Sequence, residues 1–276
     1  MQISKEIWRL IIDSKPRSAA MNMAIDEAIL LAHKQFAILP TLRLYQWEKP
    51  CLSIGYFQKV DKDVELSAMK RNNIDLVRRL TGGRAVLHNR ELTYSIVVDE
   101  EHPNMPKGVI KSYRYLSQGL AKTLEYLKIE AETATCKHTI VKTQSAACYD
   151  NPVSYELLAQ GKKIIGSAQV RKHGTILQHG SLPLSLDEAM LFSVLKFKNE
   201  SIRKRMQQKF LSEAISLKEA RGSECSTEEI EMAIIKGFSD ALSIDFQIES
   251  LTLEEISISE SLISSKYGTN KWNYGL

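Results

Sequence analysis

The sequence predicts an α+β protein in which a sheet is backed by helices, on three observations. Short runs of β-branched and aromatic residues, the clearest being Glu91-Leu92-Thr93-Tyr94-Ser95-Ile96-Val97-Val98, recur between glycine and proline turns. Residues 111–127 form an amphipathic helix with Tyr113, Leu116, Leu120, Leu124 and Leu127 on one face, suited to back that sheet. From residue 186 the pattern turns helical.

In order, Trp8-Arg9-Leu10-Ile11-Ile12 reads as a strand and 18–33 as a helix, with Ala24, Ile25, Ala28, Ile29 and Leu31 as its apolar stripe. Asn22, Asp26 and Glu27 fall on its first turns, where carboxylates suit the positive end of a helix. Residues 41–47 and 51–58 read as two strands of one hairpin interrupted at Pro50, and 60–72 as a helix. Next comes Arg78-Arg79-Leu80-Thr81-Gly82-Gly83-Arg84-Ala85-Val86-Leu87-His88, a glycine loop between two strands. A proline-punctuated connector, 101–106, leads to the amphipathic helix, and 130–147 reads as a loop. Residues 154–158 and 163–169 form a hairpin turned at Gln160-Gly161, followed by a strand at 175–182. Helices are predicted at 186–195, 202–211 and 227–242, the last opened by Ser226 and Glu229 in capping-box relation. A strand at 244–248 and a helix at 253–264 close the chain.

The length of 276 residues supports one substantial domain, divided here into a catalytic unit at 1–248 and a helical extension at 249–276 packed on it. The formal charge of +4, from 37 basic against 33 acidic residues, is too dispersed for nucleic acid. No apolar run reaches membrane-spanning length and the N-terminus lacks a signal-peptide core, so the expectation is a cytoplasmic protein without membrane or nucleic-acid partners.

Chemistry has few candidates. Cys51, Cys136, Cys148 and Cys225 form no CxxC pair, which argues against a thiolate zinc site and a disulfide framework. His88, His173 and His179 lack metal-ligand spacing. The glycine loop has neither the third spaced glycine of a dinucleotide fingerprint nor Gly-Lys-Ser/Thr, and on spacing alone reads as a tight hairpin with two solvated arginines. Cys148 leads into the hairpin that carries Lys163, so a thiol and an amine could share one pocket, where a cation lowers the thiol pKa toward neutrality. A buried, inert Cys148 is the alternative.

Several stretches together resemble the lipoate-protein ligase and octanoyltransferase superfamily, which also includes the biotin ligases. They are 22–28, 52–58, the Arg-Arg-x-Thr-Gly-Gly-Arg loop, 91–95, Gly166-Ser167-Ala168-Gln169 and Leu177-Gln178-His179-Gly180-Ser181. Cys148-Tyr149-Asp150 upstream of Gly161-Lys162-Lys163 is most similar to the LipM-type octanoyltransferases. The resemblance implies a mixed sheet flanked by helices, with Cys148 carrying the acyl group as a thioester and Lys163 lowering its pKa. Lys163 matches the family lysine because it directly precedes Ile164-Ile165-Gly166-Ser167. Arg79, Thr81, Gly82, Gly83, Arg84 and His88 would bind the acyl chain.

The same resemblance implies an octanoyl donor on acyl carrier protein and an acceptor lysine on a lipoyl-domain protein, the glycine cleavage H protein in particular. A monomer is expected, without metal or other cofactor. The alternatives are an ATP- and magnesium-dependent lipoate ligase, a lipoyl amidotransferase and a non-catalytic acyl-binding module. Against the ligase, Arg84 stands where ligases carry a third glycine and Asn89 where they carry an aspartate, and the helical segment after residue 186 is short for their accessory domain.

Overall fold

When helices cover both faces of a sheet, its strands bury alternate side chains in two different cores. In the computed structural model, which describes residues 5–134 and 156–275, strand β1 (Glu6–Ile12) does this, sending Trp8 and Leu10 to one core and Ile11 to the other. Helix α1 (Ala19–Gln35) follows, capped by Ser18, whose side chain accepts from the Met21 amide. Then come β2 (Thr41–Tyr45), β3 (Cys51–Ile54), the short helices α2 (Val60–Asp63) and α3 (Leu66–Arg71), β4 (Asp75–Arg78), β5 (Val86–His88) and β6 (Glu91–Asp99). Helix α4 (Val109–Tyr126) precedes β7 (Glu132–Thr133), β8 (Leu157–Ala159), β9 (Lys162–Lys163), β10 (Gly166–Lys172) and β11 (Thr175–Pro183). The remainder is α5 (Glu188–Val194), α6 (Glu200–Glu213), α7 (Leu217–Arg221), α8 (Thr227–Leu242), β12 (Ile244–Ile248), α9 (Leu253–Leu262), a π-turn and α10 (Asn270–Tyr274).

The main sheet has six strands in the order β10-β11-β6-β2-β1-β12, and it is mixed. β1 runs parallel to both β2 and β12, whereas β2, β6, β11 and β10 pair antiparallel. On one face Leu10, Leu42, Leu44, Ile96 and Ile176 meet Leu116, Leu120 and Leu124 of α4 and Ile234 and Phe238 of α8. Helices α4 and α8 approach closely because Gly237 has no side chain: a Cβ there would lie 2.6 Å from the Thr123 nitrogen. On the other face Ile11, Val97 and Leu177 pack on Ile25 and Ile29 of α1. Helix α9 lies against α1, and Glu255 pairs there with Arg9, both side chains wholly buried. The expected capping box opens α8, with Ser226 and Glu229 bonded reciprocally.

Four expectations change. Residues 41–47 and 51–58 are not hairpin partners: both edges of β2 are taken, by β1 and β6, so β3 builds a separate sheet between β4 (parallel) and β5 (antiparallel). Asp26 and Glu27 lie beyond the first turn of α1 and are buried, so tertiary partners hold them and the helix end does not. Residues 163–169 are not one strand, because the buried pair Ile164 and Ile165 steps the chain from a small sheet, β7-β8-β9, into the main one. Within 130–147, Glu132 and Thr133 pair with Leu158 and Leu157. Among the described residues, no helix is long and apolar enough to cross a membrane.

Candidate active site

The glycine loop is not a hairpin, since β3 lies between its flanking strands β4 and β5. Its two arginines are not solvated either. Arg79 turns back on its own loop, donating from Nη1 to the Ser53 carbonyl (2.9 Å) and from Nη2 to the carbonyls of Gly82 (3.0 Å) and Arg84 (2.7 Å). Arg78 is wholly buried and donates to the carbonyls of Gly55, Tyr56 and Gln58 on one side and of Trp272 and Asn273 in α10 on the other. Burial lowers its pKa from the usual guanidinium value, partly offset by Tyr56. Five carbonyl dipoles thus solvate one charge, tying the loop after β3 to the C-terminal helix.

Gly55 makes that loop possible. A Cβ on it would lie 2.0 Å from the Gly83 carbonyl oxygen and 2.8 Å from its carbon, both backbone atoms. Gly83 itself sits at φ +92, a region side chains disfavour. Gly55→Ala is expected to cost about 1–3 kcal/mol or more, the price of forcing backbone apart in a packed region. A urea melt measures it, and an unchanged midpoint would refute the contact.

Beside the loop opens an apolar cleft. Arg79, Gly83 and His88 line it, together with Met23, Tyr45, Trp47, Ser53, Val86, Thr93, Gly166 to Ala168 and His179 to Ser181. Of the other residues expected to bind acyl, Thr81, Gly82 and Arg84 are not in its lining; Thr81 lies behind the wall, bonded to His179 Nε2 at 2.7 Å. Gly180 leaves no room for a side chain, since a Cβ there would be 2.6 Å from the Gly166 oxygen and 2.7 Å from the Tyr94 ring.

Two buried networks stiffen the walls. Asp26 accepts from Arg43 (2.7 Å), Tyr45 (2.9 Å) and Ser95 (2.8 Å), and faces His179 Nδ1 at 3.4 Å. Burial alone would raise the Asp26 pKa, but the His179 hydrogen bond and the Arg43 charge hold it below the usual carboxylate value. Burial lowers the pKa of His179, against the pull of Asp26. In the second network Glu91 bonds Thr93 and Ser181, and its Oε1 meets His88 Nδ1 (2.7 Å) and accepts from Trp47 Nε1 (3.0 Å), while His88 Nε2 meets Ser53 at 2.7 Å. Among the described residues, no cluster of three or more His, Cys, Asp or Glu could hold a metal.

The hairpin β8-β9 forms as expected, with Leu158 opposite Lys163 and positive φ at Gln160 (51°) and Gly161 (72°). Lys163 is 2% exposed and its ammonium pairs with the carboxylate of Glu156, also buried. Lys162 turns the other way and donates to the Leu211 carbonyl at 3.0 Å. Sequence reasoning missed Glu156, although a signal existed: two residues before the cross-strand partner of Lys163, it falls on the same face, diagonally within reach. Trp47 and Glu91 gave no local signal.

Cys148 and Cys136 lie outside the described residues. Cys51 is buried in a core cluster, and burial, reinforced by Asp75 and Glu91, raises its thiol pKa well above normal, so it is no nucleophile. Cys225 is buried and contacts Arg221 Nη1 at 3.1 Å.

The family model described as the Lipoyl protein ligase A/B catalytic domain matches residues 18–239. Octanoyltransferase LipM of Geobacillus kaustophilus (strain HTA426) is 46% identical over 99% of both chains, and Octanoyltransferase LipM of Bacillus subtilis (strain 168) is 40% identical over the same shares. Among solved structures, the bi-partite lipoate protein ligase of Thermoplasma acidophilum matches with TM-score 0.82 at 29% identity, covering 98% of this chain and 97% of its own. A lipoate-protein ligase A bound with ATP matches with TM-score 0.77, also at 29% identity, over 99% of this chain and 100% of its own. With the family match spanning most of the chain and full-length relatives at such identity, the protein belongs to the lipoyl protein ligase A/B catalytic-domain family, on its LipM-type octanoyltransferase branch.

Proposed function

We propose that this acyltransferase takes an octanoyl group from acyl carrier protein and passes it to a lysine of a lipoyl-domain protein, such as the glycine cleavage H protein, through a thioester on Cys148. The observation that carries the reading is the placement of an apolar cleft, walled by Gly166 to Ala168, three residues along the chain from the buried Lys163. In the first half-reaction the Cys148 thiolate attacks the carrier thioester, forming a new carbon–sulfur bond. As the tetrahedral adduct collapses, the carrier sulfur leaves and takes a proton from the Lys163 ammonium.

In the second half-reaction neutral Lys163 accepts a proton from the incoming lysine, whose nitrogen attacks the acyl-enzyme. The amide forms, the Cys148 thiolate departs and the Lys163 ammonium is restored. Glu156 supplies a second anionic partner for that ammonium, so its charge balance does not rest on the thiolate alone. The enzyme works as a monomer in the cytoplasm in this reading, and the glycine loop holds the chain of the acyl group.

A thioester is already activated, so the reaction runs without nucleotide. Incubated with octanoyl carrier protein and no ATP, the protein is expected to gain one octanoyl mass on the peptide containing Cys148, and the label should move to a lipoyl domain on mixing. ATP-driven attachment of free octanoate or lipoate that survives Cys148→Ala would replace this reading with the ligase.

A further inference from the structure

Over the whole chain the positive excess is slight, but it gathers in one stretch. Residues 196–209 hold six basic side chains, Lys196, Lys198, Arg203, Lys204, Arg205 and Lys209, against the single acid Glu200, which is more than the entire formal +4. Most of this stretch is α6. Met206 and Phe210, one turn apart, pack onto the core, and Lys204 and Arg205 are exposed, as are Lys196 and Lys198 just before the helix. Local partners compensate only part of the charge: Arg203 pairs with Glu200 at 2.6 Å, and Lys209 stands 3.6 Å from Glu213. Arg205 and Lys209, one turn apart, repel each other, so the helix itself gains nothing from collecting them.

The C-terminal end of α6 is tied to Lys163. Lys162 donates to the Leu211 carbonyl at 3.0 Å, Lys163 forms a β-bridge with Ala214, and the Ile215 amide donates to the Lys163 carbonyl at 3.0 Å. Phe210 also lines a small pocket that shares Val86 and Ser181 with the acyl cleft. Counted back along the helix at about 1.5 Å per residue, Lys204 and Arg205 stand about 14–15 Å from Ala214. The helix is therefore anchored at the reacting lysine and carries its exposed charge well away from it.

That separation discriminates between the two protein substrates. The acceptor offers a lysine side chain, about 6 Å from Cα to nitrogen, so its domain must sit against the mouth of the cleft. The donor holds its acyl group on a phosphopantetheine arm, whose roughly 13 bonds from phosphorus to sulfur advance about 1.3 Å each and reach about 17 Å. A carrier resting on Lys204 and Arg205 can set its thioester at Lys163, and an acceptor resting there cannot bring its amine that far. The phosphodiester at the base of the arm and the acidic surface of a carrier protein also complement the helix in charge. We propose that the outer face of α6 is the docking surface for the acyl carrier protein, and that the acceptor domain binds elsewhere. The inference rests on the octanoyl-transfer reading above.

The test compares wild type with the double variant Lys204→Glu, Arg205→Glu and the milder Lys204→Gln, Arg205→Gln. Three reactions are followed without ATP: acylation by octanoyl carrier protein, acylation by octanoyl pantetheine, which has neither carrier nor phosphate, and transfer from octanoyl pantetheine-loaded enzyme to a lipoyl domain. Steering by a charged surface is worth about 10–10³-fold in association, so charge reversal should raise KM for octanoyl carrier protein at least about tenfold, with kcat little changed. The Gln variant should show a smaller rise. Octanoyl pantetheine and the lipoyl-domain step should keep their wild-type values. The difference between wild type and variant should close in about 1 M salt, where charges are screened beyond about 3 Å. If a thermal melt shows the reversed variant to be unfolded, the Gln variant is judged by the same measurements. An unchanged KM for the carrier, a loss shared equally by octanoyl pantetheine, or a loss confined to the lipoyl-domain step overturns this inference alone. A wild-type protein that takes octanoyl from neither thioester overturns the proposed function instead.

Discussion

Cys148→Ala is expected to reduce transfer from octanoyl carrier protein by at least about 10³-fold, the scale on which loss of a covalent nucleophile registers. The matched control is Cys51→Ala. Cys51 sits in a core cluster with Tyr45 and Val77, its pKa raised by burial, and no step runs through it. Its replacement should leave transfer near wild type and cost only stability. Side-by-side single-turnover assays decide the matter: equal rates in the two variants would remove Cys148 from the mechanism.

The second large effect concerns folding. Arg9 on β1 and Glu255 on α9 are both 0% exposed, and Arg9 Nε also donates to Thr41 at 3.0 Å. Glu255→Ala strands a buried guanidinium, which Thr41 cannot neutralise, and should cost about 3–5 kcal/mol. For a chain of this size that is roughly 10 °C in Tm. The double replacement Arg9→Met with Glu255→Met should recover most of the loss, because an apolar pair of similar volume removes the charge that burial penalises. A loss below about 1 kcal/mol in Glu255→Ala would show that water reaches Arg9.

What the sequence made legible was local. The turn at Gln160-Gly161 placed Lys163 correctly, since two residues with positive φ set a hairpin register by themselves. The capping box placed the start of α8, and β-branched runs gave β6 and β11 nearly to the residue. The choice of partner was not legible. Periodicity reports which face of a strand is buried but not which free edge will receive it, so β3 looked like the hairpin partner of β2. Asp26 looked like a helix-end charge because its partners Arg43, Ser95 and His179 lie 17, 69 and 153 residues away. The resemblance indicated the arginine loop as an acyl site; Arg79 lines the cleft while donating to the Ser53 carbonyl on β3 and to the Gly82 and Arg84 carbonyls in the loop, contacts that no local pattern announces.

The cage around Arg78 also sets an order of events during synthesis. Two of its five carbonyls belong to Trp272 and Asn273, and its own amide donates to the Asn273 side chain across a separation of 195 residues. A ribosome adding about 5–20 residues per second needs about 10–40 s to cover that distance. Throughout that interval the glycine loop has been made while the helix that fixes its neighbour has not. The nascent chain therefore carries its glycine loop well before the helix that braces Arg78 exists.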